Sequence, residues 1–177
     1  MATAGNKTLG VARSTNGGES WEVPAFDEPS TKILGTQANF AITIAVDRAN
    51  PDILYSGGFD TWKSTDAATT WTRMSDWFGR NSDKPYVHAD QHTMEVTSEG
   101  VLLIGNDGGV TATRDGGATF SYLGKGMETF LVSELAEDPA NPDRICFGAQ
   151  DNGPNVRLQG GDYLQPTSGD GFGCLFS

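Results

Sequence analysis

Basic residues are scarce in this chain of 177 residues: twelve Lys and Arg stand against twenty-three Asp and Glu, for a formal net charge of −11. Binding to nucleic acid or to anionic membranes depends on clustered cations, and these twelve do not cluster, so neither partner is expected. No apolar run is long enough to span a bilayer, so membrane insertion is not expected either. The opening residues, Met1-Ala2-Thr3-Ala4-Gly5-Asn6-Lys7, lack the charged region followed by an apolar one that marks a secretory leader, and they read as a boundary within a longer chain. Cysteine is limited to Cys146 and Cys174, too few for a disulfide framework, and both are expected to be buried small hydrophobes.

What the chain has in quantity is glycine, 23 residues, together with 10% aromatics and 37% hydrophobic residues, a composition of globular β proteins of the extracellular type. The glycines fall into a recurring string. It reads Ser14-Thr15-Asn16-Gly17-Gly18-Glu19-Ser20-Trp21, then Ser64-Thr65-Asp66-Ala67-Ala68-Thr69-Thr70-Trp71, then Thr113-Arg114-Asp115-Gly116-Gly117-Ala118-Thr119-Phe120. The copies start 50 and 49 residues apart. An Asp or Asn side chain accepts hydrogen bonds from backbone N–H groups just ahead of it, and glycines take the positive φ values of a tight reversal. Hydroxyls on either side tie the two arms together, and the closing aromatic buries a large apolar face.

A period near fifty with short apolar runs between turn signals is that of four-stranded propeller blades. The expected architecture is all-β, a β-propeller of four-stranded antiparallel blades of about 50 residues, incomplete in this chain. A partial blade covers 1–38, full blades cover 39–86 and 87–128, a degenerate blade without the turn motif covers 129–169, and the next blade begins at 170–177. Strands are expected at 40–47, 53–56, 61–64 and 71–74, at 88–96, 101–105, 110–113 and 119–123, and at 130–137 and 144–148. Asn-Pro-Asp turns at 50–52 and 141–143 mark reversals between strands. Closed propellers have about four to eight blades. The rest of the ring is therefore expected from a longer parent chain or from a second copy, since an open arc leaves strand edges unpaired.

With strands labelled A to D outward, A–B and C–D turns share one face, while B–C turns and D–A links share the other. The second face collects Asp60, Asp107, Asp151 and Asp170, with His88-Ala89-Asp90-Gln91-His92 at the start of an inner strand. On an extended strand His88, Asp90 and His92 project to one side. They are candidate ligands for a divalent cation or candidate acid and base groups, or they bond neighbouring backbone in a packed channel. No cofactor is otherwise implied. The link at 75–86 adds Trp77, Phe78, Arg80 and Tyr86; its aromatics either stack on sugar rings or pack between blades. The similar link at 22–37 offers Phe26.

The repeated string resembles the Asp-box, or BNR repeat, with Asn16, Ala68 and Phe120 as departures from its pattern. His88-Ala89-Asp90-Gln91-His92, the stretch from Gly105 to Val110, and Gly148-Ala149-Gln150-Asp151-Asn152-Gly153 are similar to elements of large glycosyl-hydrolase-like BNR-repeat proteins, relatives in fold of sialidases, xyloglucan-cleaving propellers and the sortilin ectodomain. In that family the box stabilises the fold and has no catalytic role. The resemblance implies a secreted module, extracellular or periplasmic, that binds a glycan and, if it is an enzyme, cleaves it with Asp carboxylates, for which Asp90, Asp107 and Asp151 are the candidates. Arg144-Ile145-Cys146 does not match the sialidase Arg-Ile-Pro signature. The ligand-binding set is His88, Asp90, His92, Asp107, Asp151, Asp170, Trp77 and Arg80, with binding favoured over catalysis. A sortilin-like propeller taking a peptide, or a scaffold without a ligand of its own, are the alternatives.

Overall fold

The chain is all-β. The computed structural model describes residues 2–4, 7–23, 32–36, 38–79, 83–127 and 129–176, which fall into two compact units, Met1–Lys125 and Gly126–Ser177. In the first unit β1 (Ala2–Ala4) and β2 (Lys7–Gly10) form a hairpin. One four-stranded sheet comprises β3 (Thr43–Val46), β4 (Leu54–Gly57), β5 (Thr61–Ser64) and β6 (Thr72–Arg73). A second comprises β7 (Gln91–Val96), β8 (Leu102–Asn106), β9 (Gly109–Thr113) and β10 (Ser121–Tyr122). The second unit holds a third, made of β11 (Val132–Asp138), β12 (Asn141–Ala149), β13 (Gly153–Arg157) and β14 (Tyr163–Leu164). Every strand of each sheet pairs antiparallel with the next in sequence, which is the meander of a propeller blade.

The three turn motifs share one hydrogen-bond network, and it explains their residue choice. In the second, Asp66 Oδ1 accepts from the Ser64 hydroxyl at 2.8 Å and the Thr70 N–H at 2.8 Å, and Oδ2 accepts from the Thr70 hydroxyl at 2.7 Å. Asp115 accepts from Thr113 and Thr119 in the same way. Asn16 reproduces the pattern by accepting from Ser14 and Ser20 and donating its amide to the Ser20 hydroxyl. Gly17, Gly18, Gly116 and Gly117 have φ between 71° and 99°, whereas Ala67 and Ala68 hold 59° and 72°. A left-handed conformation costs an L-residue about 1–2 kcal/mol, so the carboxylate clamp of the second motif works against strain that glycine avoids in the others.

Two apolar clusters organise the first unit. Ala45, Tyr55 and Met74 of one sheet pack with Met94, Val96, Leu102 and Ile104 of the next. The inner strands β3 and β7 lie against each other, so the two sheets stack face to face, as neighbouring blades do. Burying a side chain of this size contributes about 1.5–3 kcal/mol. Val11, Ile33, Leu34, Leu54 and Trp71 form the other cluster. A backbone stitch reinforces the stack: the Gln91 N–H donates to Gly58 O at 2.9 Å, and the Thr61 hydroxyl donates to Gln91 Oε1 at 3.1 Å. A Cβ at Gly57 would collide with the Gln91 side chain, and one at Gly58 would lie 2.7 Å from the Leu34 backbone. Glycine is the residue that admits this close approach.

The structure departs from the expected strands at several places, β3 beginning at Thr43 rather than at 40 and β10 being confined to Ser121–Tyr122. An added hairpin precedes the first motif. β7 begins at Gln91 rather than at 88, because Asp90 sits at φ 56° and breaks the extended run. β12 begins at Asn141, so Asn141-Pro142-Asp143 belongs to the strand and the reversal is confined to Pro139 and Ala140, where Asp138 Oδ1 accepts the Ala140 N–H at 2.8 Å. The sheet at 132–164 has all four strands without the turn motif; its last hairpin closes through the backbone, Leu158 N–H to Asp162 O at 2.7 Å, with Gly160 and Gly161 at positive φ.

The cysteines also require a correction. Cys146, buried in β12, and Cys174 form a disulfide with a Cα–Cα distance of 6.1 Å, 28 positions apart, and are not a pair of independent hydrophobes. Two cysteines can be cross-linked only where folding brings their Cα atoms within range, and here the segment after β14 returns to β12.

Hydrogen bonds to the ionised carboxylates hold Asp66 and Asp115 below the ordinary aspartate value of 3.8, with the Thr70 and Thr119 hydroxyls as the largest causes. Folding then releases protons near that pH, so this stabilisation is complete above it and is lost as pH falls below it. An Asp66→Asn, Asp115→Asn double variant keeps the Asn16-type network and is expected to show a flatter acid limb in melting temperature against pH between 5 and about 2. An unchanged acid limb rules out this origin.

Candidate functional site

The D–A link that leaves β6 is held by a buried carboxylate. Asp60, in the β4–β5 turn, is 8% exposed; its Oδ1 accepts the Trp77 N–H at 2.8 Å, and its Oδ2 meets the Arg73 guanidinium at 3.4 Å. Burial pushes its carboxyl above 3.8, opposed by the Trp77 N–H and the Arg73 charge. Asp60 is therefore an anchor and not a ligand-facing group. It fixes Trp77 so that the indole stacks on Phe59 at a centroid distance of 5.1 Å and an interplanar angle of 23°, while Phe78 meets Trp77 edge-on at 5.2 Å. Trp77 and Phe78 remain 37% and 54% exposed, so they do not disappear between sheets. Sequence reading passed over Phe59, although its place in a B–C turn puts it on the same face as the link. Arg80 and Phe26 lie outside the described residues.

The His-x-Asp-x-His string does not form one face. His88 and Asp90 precede β7, and the left-handed turn at Asp90 rotates the chain before His92. The expected alternation therefore fails, and among the described residues His88, Asp90 and His92 do not bring three ligand atoms together as a metal set. Each residue has its own surroundings. His88 Nδ1 lies 3.2 Å from Ala89 O, and its ring covers Gly108, where a Cβ would be 2.6 Å away. His92 Nε2 and Asp107 Oδ1 are 2.7 Å apart, with Phe40 edge-on to the imidazole at 5.0 Å. One oxygen of Asp90 lies within 4.8 Å of one of Asp107. The B–C end of the first unit thus combines an aromatic platform with two half-buried carboxylates, one of them paired with an imidazole.

Beneath that end, two polar side chains carry unpaired atoms. Gln91 and Asn106 are partners across the β7–β8 ladder, and Gln91 Nε2 and Asn106 Nδ2 are buried without a hydrogen-bond partner among the described residues. A cleft of about 460 Å³ in the same unit runs between the second and third turn motifs and the 75–86 link, lined by Lys63, Thr72, Met74, Lys84 and Gly117. It is not at the candidate residues.

In the second unit the remaining two candidate aspartates are joined through a backbone N–H. Asp151 sits at φ 58° in the β12–β13 turn, and its N–H donates to Asp170 Oδ1 at 3.1 Å. Asp90 and Asp151 are two of the four described non-glycine residues at positive φ, the other two being the alanines of the second turn motif. Aspartate adopts this conformation more readily than most residues.

No family model matches the chain, and no curated protein matches it. Solved structures similar to it include a GH74 enzyme of Niastella koreensis, at 18% identity and a TM-score of 0.44, covering 91% of this chain and 27% of that one. YCF48 bound to D1 peptide is similar at 10% identity and 0.39, covering 85% and 60%. The extracellular domain of a hybrid two-component system of B. thetaiotaomicron is similar at 14% and 0.36, covering 72% and 17%. The chain thus spans less than two thirds of the length of each. At these low scores the fold assignment rests on strand order and register in the chain itself.

Because Asp60 has a raised pKa, the folded state binds more protons than the unfolded one just above pH 3.8, and stability falls as pH rises through that window. Asp60→Asn keeps an acceptor for the Trp77 N–H and removes the buried charge, so its melting temperature at neutral pH should equal or exceed that of the parent. Asp60→Ala strands the N–H and should lose about 1–3 kcal/mol in denaturant titration. Equal losses in both variants refute the anchoring role.

Proposed function

We propose that this chain is an Asp-box β-propeller module of a secreted glycosyl-hydrolase-like protein, and that it binds a glycan on the face formed by the B–C turns and D–A links. The observation that carries this reading is the exposed stack of Phe59, Trp77 and Phe78, held in place by Asp60. A sugar ring presents an apolar face that packs on an aromatic plane, and its hydroxyls require polar partners nearby. Asp90, Asp107 and His92 supply acceptors and donors at that end of the unit. The disulfide supports an oxidising, extracytoplasmic compartment.

Binding is the better-supported activity. Hydrolysis needs an acid and a second carboxylate at a defined separation across the sugar. Asp107 is engaged by His92 at 2.7 Å, and Asp60 is buried against Trp77. Asp90 and Asp107 serve in this reading as hydrogen-bond partners for hydroxyls.

A panel of neutral β-linked oligosaccharides titrated by calorimetry tests the reading. One or more should bind saturably, Trp77→Ala should weaken binding about ten-fold, matching roughly 1.4 kcal/mol of lost stacking, and Asp107→Ala should weaken it further. Saturable binding of a peptide that survives both substitutions would instead identify a peptide-binding propeller.

A further inference from the structure

Residues 165–176 of the second unit form no strand, yet part of this segment is fixed tightly on the sheet. Four hydrogen bonds hold it: Gly153 N–H to Gly169 O at 2.7 Å, Gly171 N–H to Ala149 O at 3.0 Å, Asp151 N–H to Asp170 Oδ1 at 3.1 Å, and the Gln165 side-chain amide to Asn152 O at 2.8 Å. Three of the four fall within 169–171, and all converge on the β12–β13 turn. The approach is backbone to backbone. A Cβ at Gly148 would lie 2.5 Å from Gly171 O, and one at Gly171 would collide with the Gly153 backbone. Residues 161–170 are exposed, so apolar burial does not retain that stretch. Three residues beyond Gly171, Cys174 is bonded to Cys146 in the interior of β12.

We propose that the Cys146–Cys174 disulfide is the positioning element that holds 169–171, and with it the Asp170 carboxylate, on the β12–β13 turn, and that a dithiol reductant releases this strap without unfolding the sheet. A segment tethered at one end by β14 frays from the other. A cross-link at the far end removes that freedom and keeps the three acceptors and donors at high effective concentration. The sheet has its own support: β11 pairs with β12 over six residue pairs and β12 with β13 over four, none of which involves the strap. Cys174 is the less buried sulfur. A dithiol thiolate attacking it expels Cys146, which takes a proton; the reductant's second thiol then displaces Cys174 and leaves as the cyclic disulfide, having given up two electrons. The consequence for ligand binding, a turn shaped for use only in the oxidised protein, rests on the proposed glycan-binding face, whereas the strap itself does not.

Residue-resolved amide exchange by NMR on the full chain, oxidised and in dithiothreitol, tests it. Reduction should lower the protection of the Asp151, Gly153 and Gly171 amides at least ten-fold, leaving the β11–β12 ladder and the first unit unchanged. Cys174→Ser should reproduce this without reductant, and Asp170→Ala should affect Asp151 more than Gly171. Unchanged protection in the reduced protein, or simultaneous exchange of the whole of β11–β14, overturns the proposal. If the strap opens as described while neither redox form binds a glycan, the strap stands and the glycan reading fails.

Discussion

A four-stranded meander of short strands cannot bury both of its faces by itself, and this constraint shapes everything else in the chain. Strands of two to six residues in the first unit offer few ladder hydrogen bonds, so their stability depends on the apolar layer between sheets. Met94, Val96, Leu102 and Ile104 meet Ala45, Tyr55 and Met74 across that layer. Once those faces are matched, the distance between neighbouring turns is fixed. Gln91 can then reach Gly58 and Thr61, and a Cβ at 57 would meet the Gln91 and Met94 side chains while one at 58 would meet the Leu34 backbone.

The two ends of the sheets solve the reversal problem differently. At the C–D end, side-chain carboxylates or Asn16 satisfy backbone N–H groups locally, and each network is complete within eight residues. The side-chain clamp is local, although the Ala67 N–H of the second motif also donates to Asp52 O at 3.0 Å. At the B–C end the partners come from far along the chain: Asp60 reaches Trp77, His92 reaches Asp107, and Asp151 reaches Asp170. Groups whose hydrogen bonds are met by long-range partners can be arranged relative to one another, which is what a recognition surface needs. Asp90 and Asp151 at this end also hold positive φ, 56° and 58°.

The second unit balances a missing turn motif with a covalent bond. Its outer hairpin closes only through backbone hydrogen bonds and two glycines. Its inner region is stapled where Cys174 meets Cys146, and a cross-link spanning 28 positions restricts the unfolded chain by about 3–4 kcal/mol in the chain-entropy account. The extended β12, nine residues against four or five in the other B strands, gives that staple a rigid base.

Repeat spacing, turn chemistry and strand order were legible in the sequence, because the interactions behind them are local. Asp66 clamps residues four positions away, and the pairing of consecutive strands follows from short turns. The parity of the meander likewise put Asp60, Trp77 and Asp107 on one end before any distance was known. What the sequence left undecided depends on contacts between distant segments. The alternation of His88, Asp90 and His92 failed at one dihedral angle, the φ of 56° at Asp90. Asp60 proved to be an anchor because burial, a property of the packed sheets, removed it from solvent. Cys146 and Cys174 became partners because the chain returns to β12, and the stacking of Trp77 on Phe59 joins residues 18 positions apart. Local hydrogen-bond chemistry is written in adjacent residues, whereas burial and pairing over long separations exist only once the sheets have stacked.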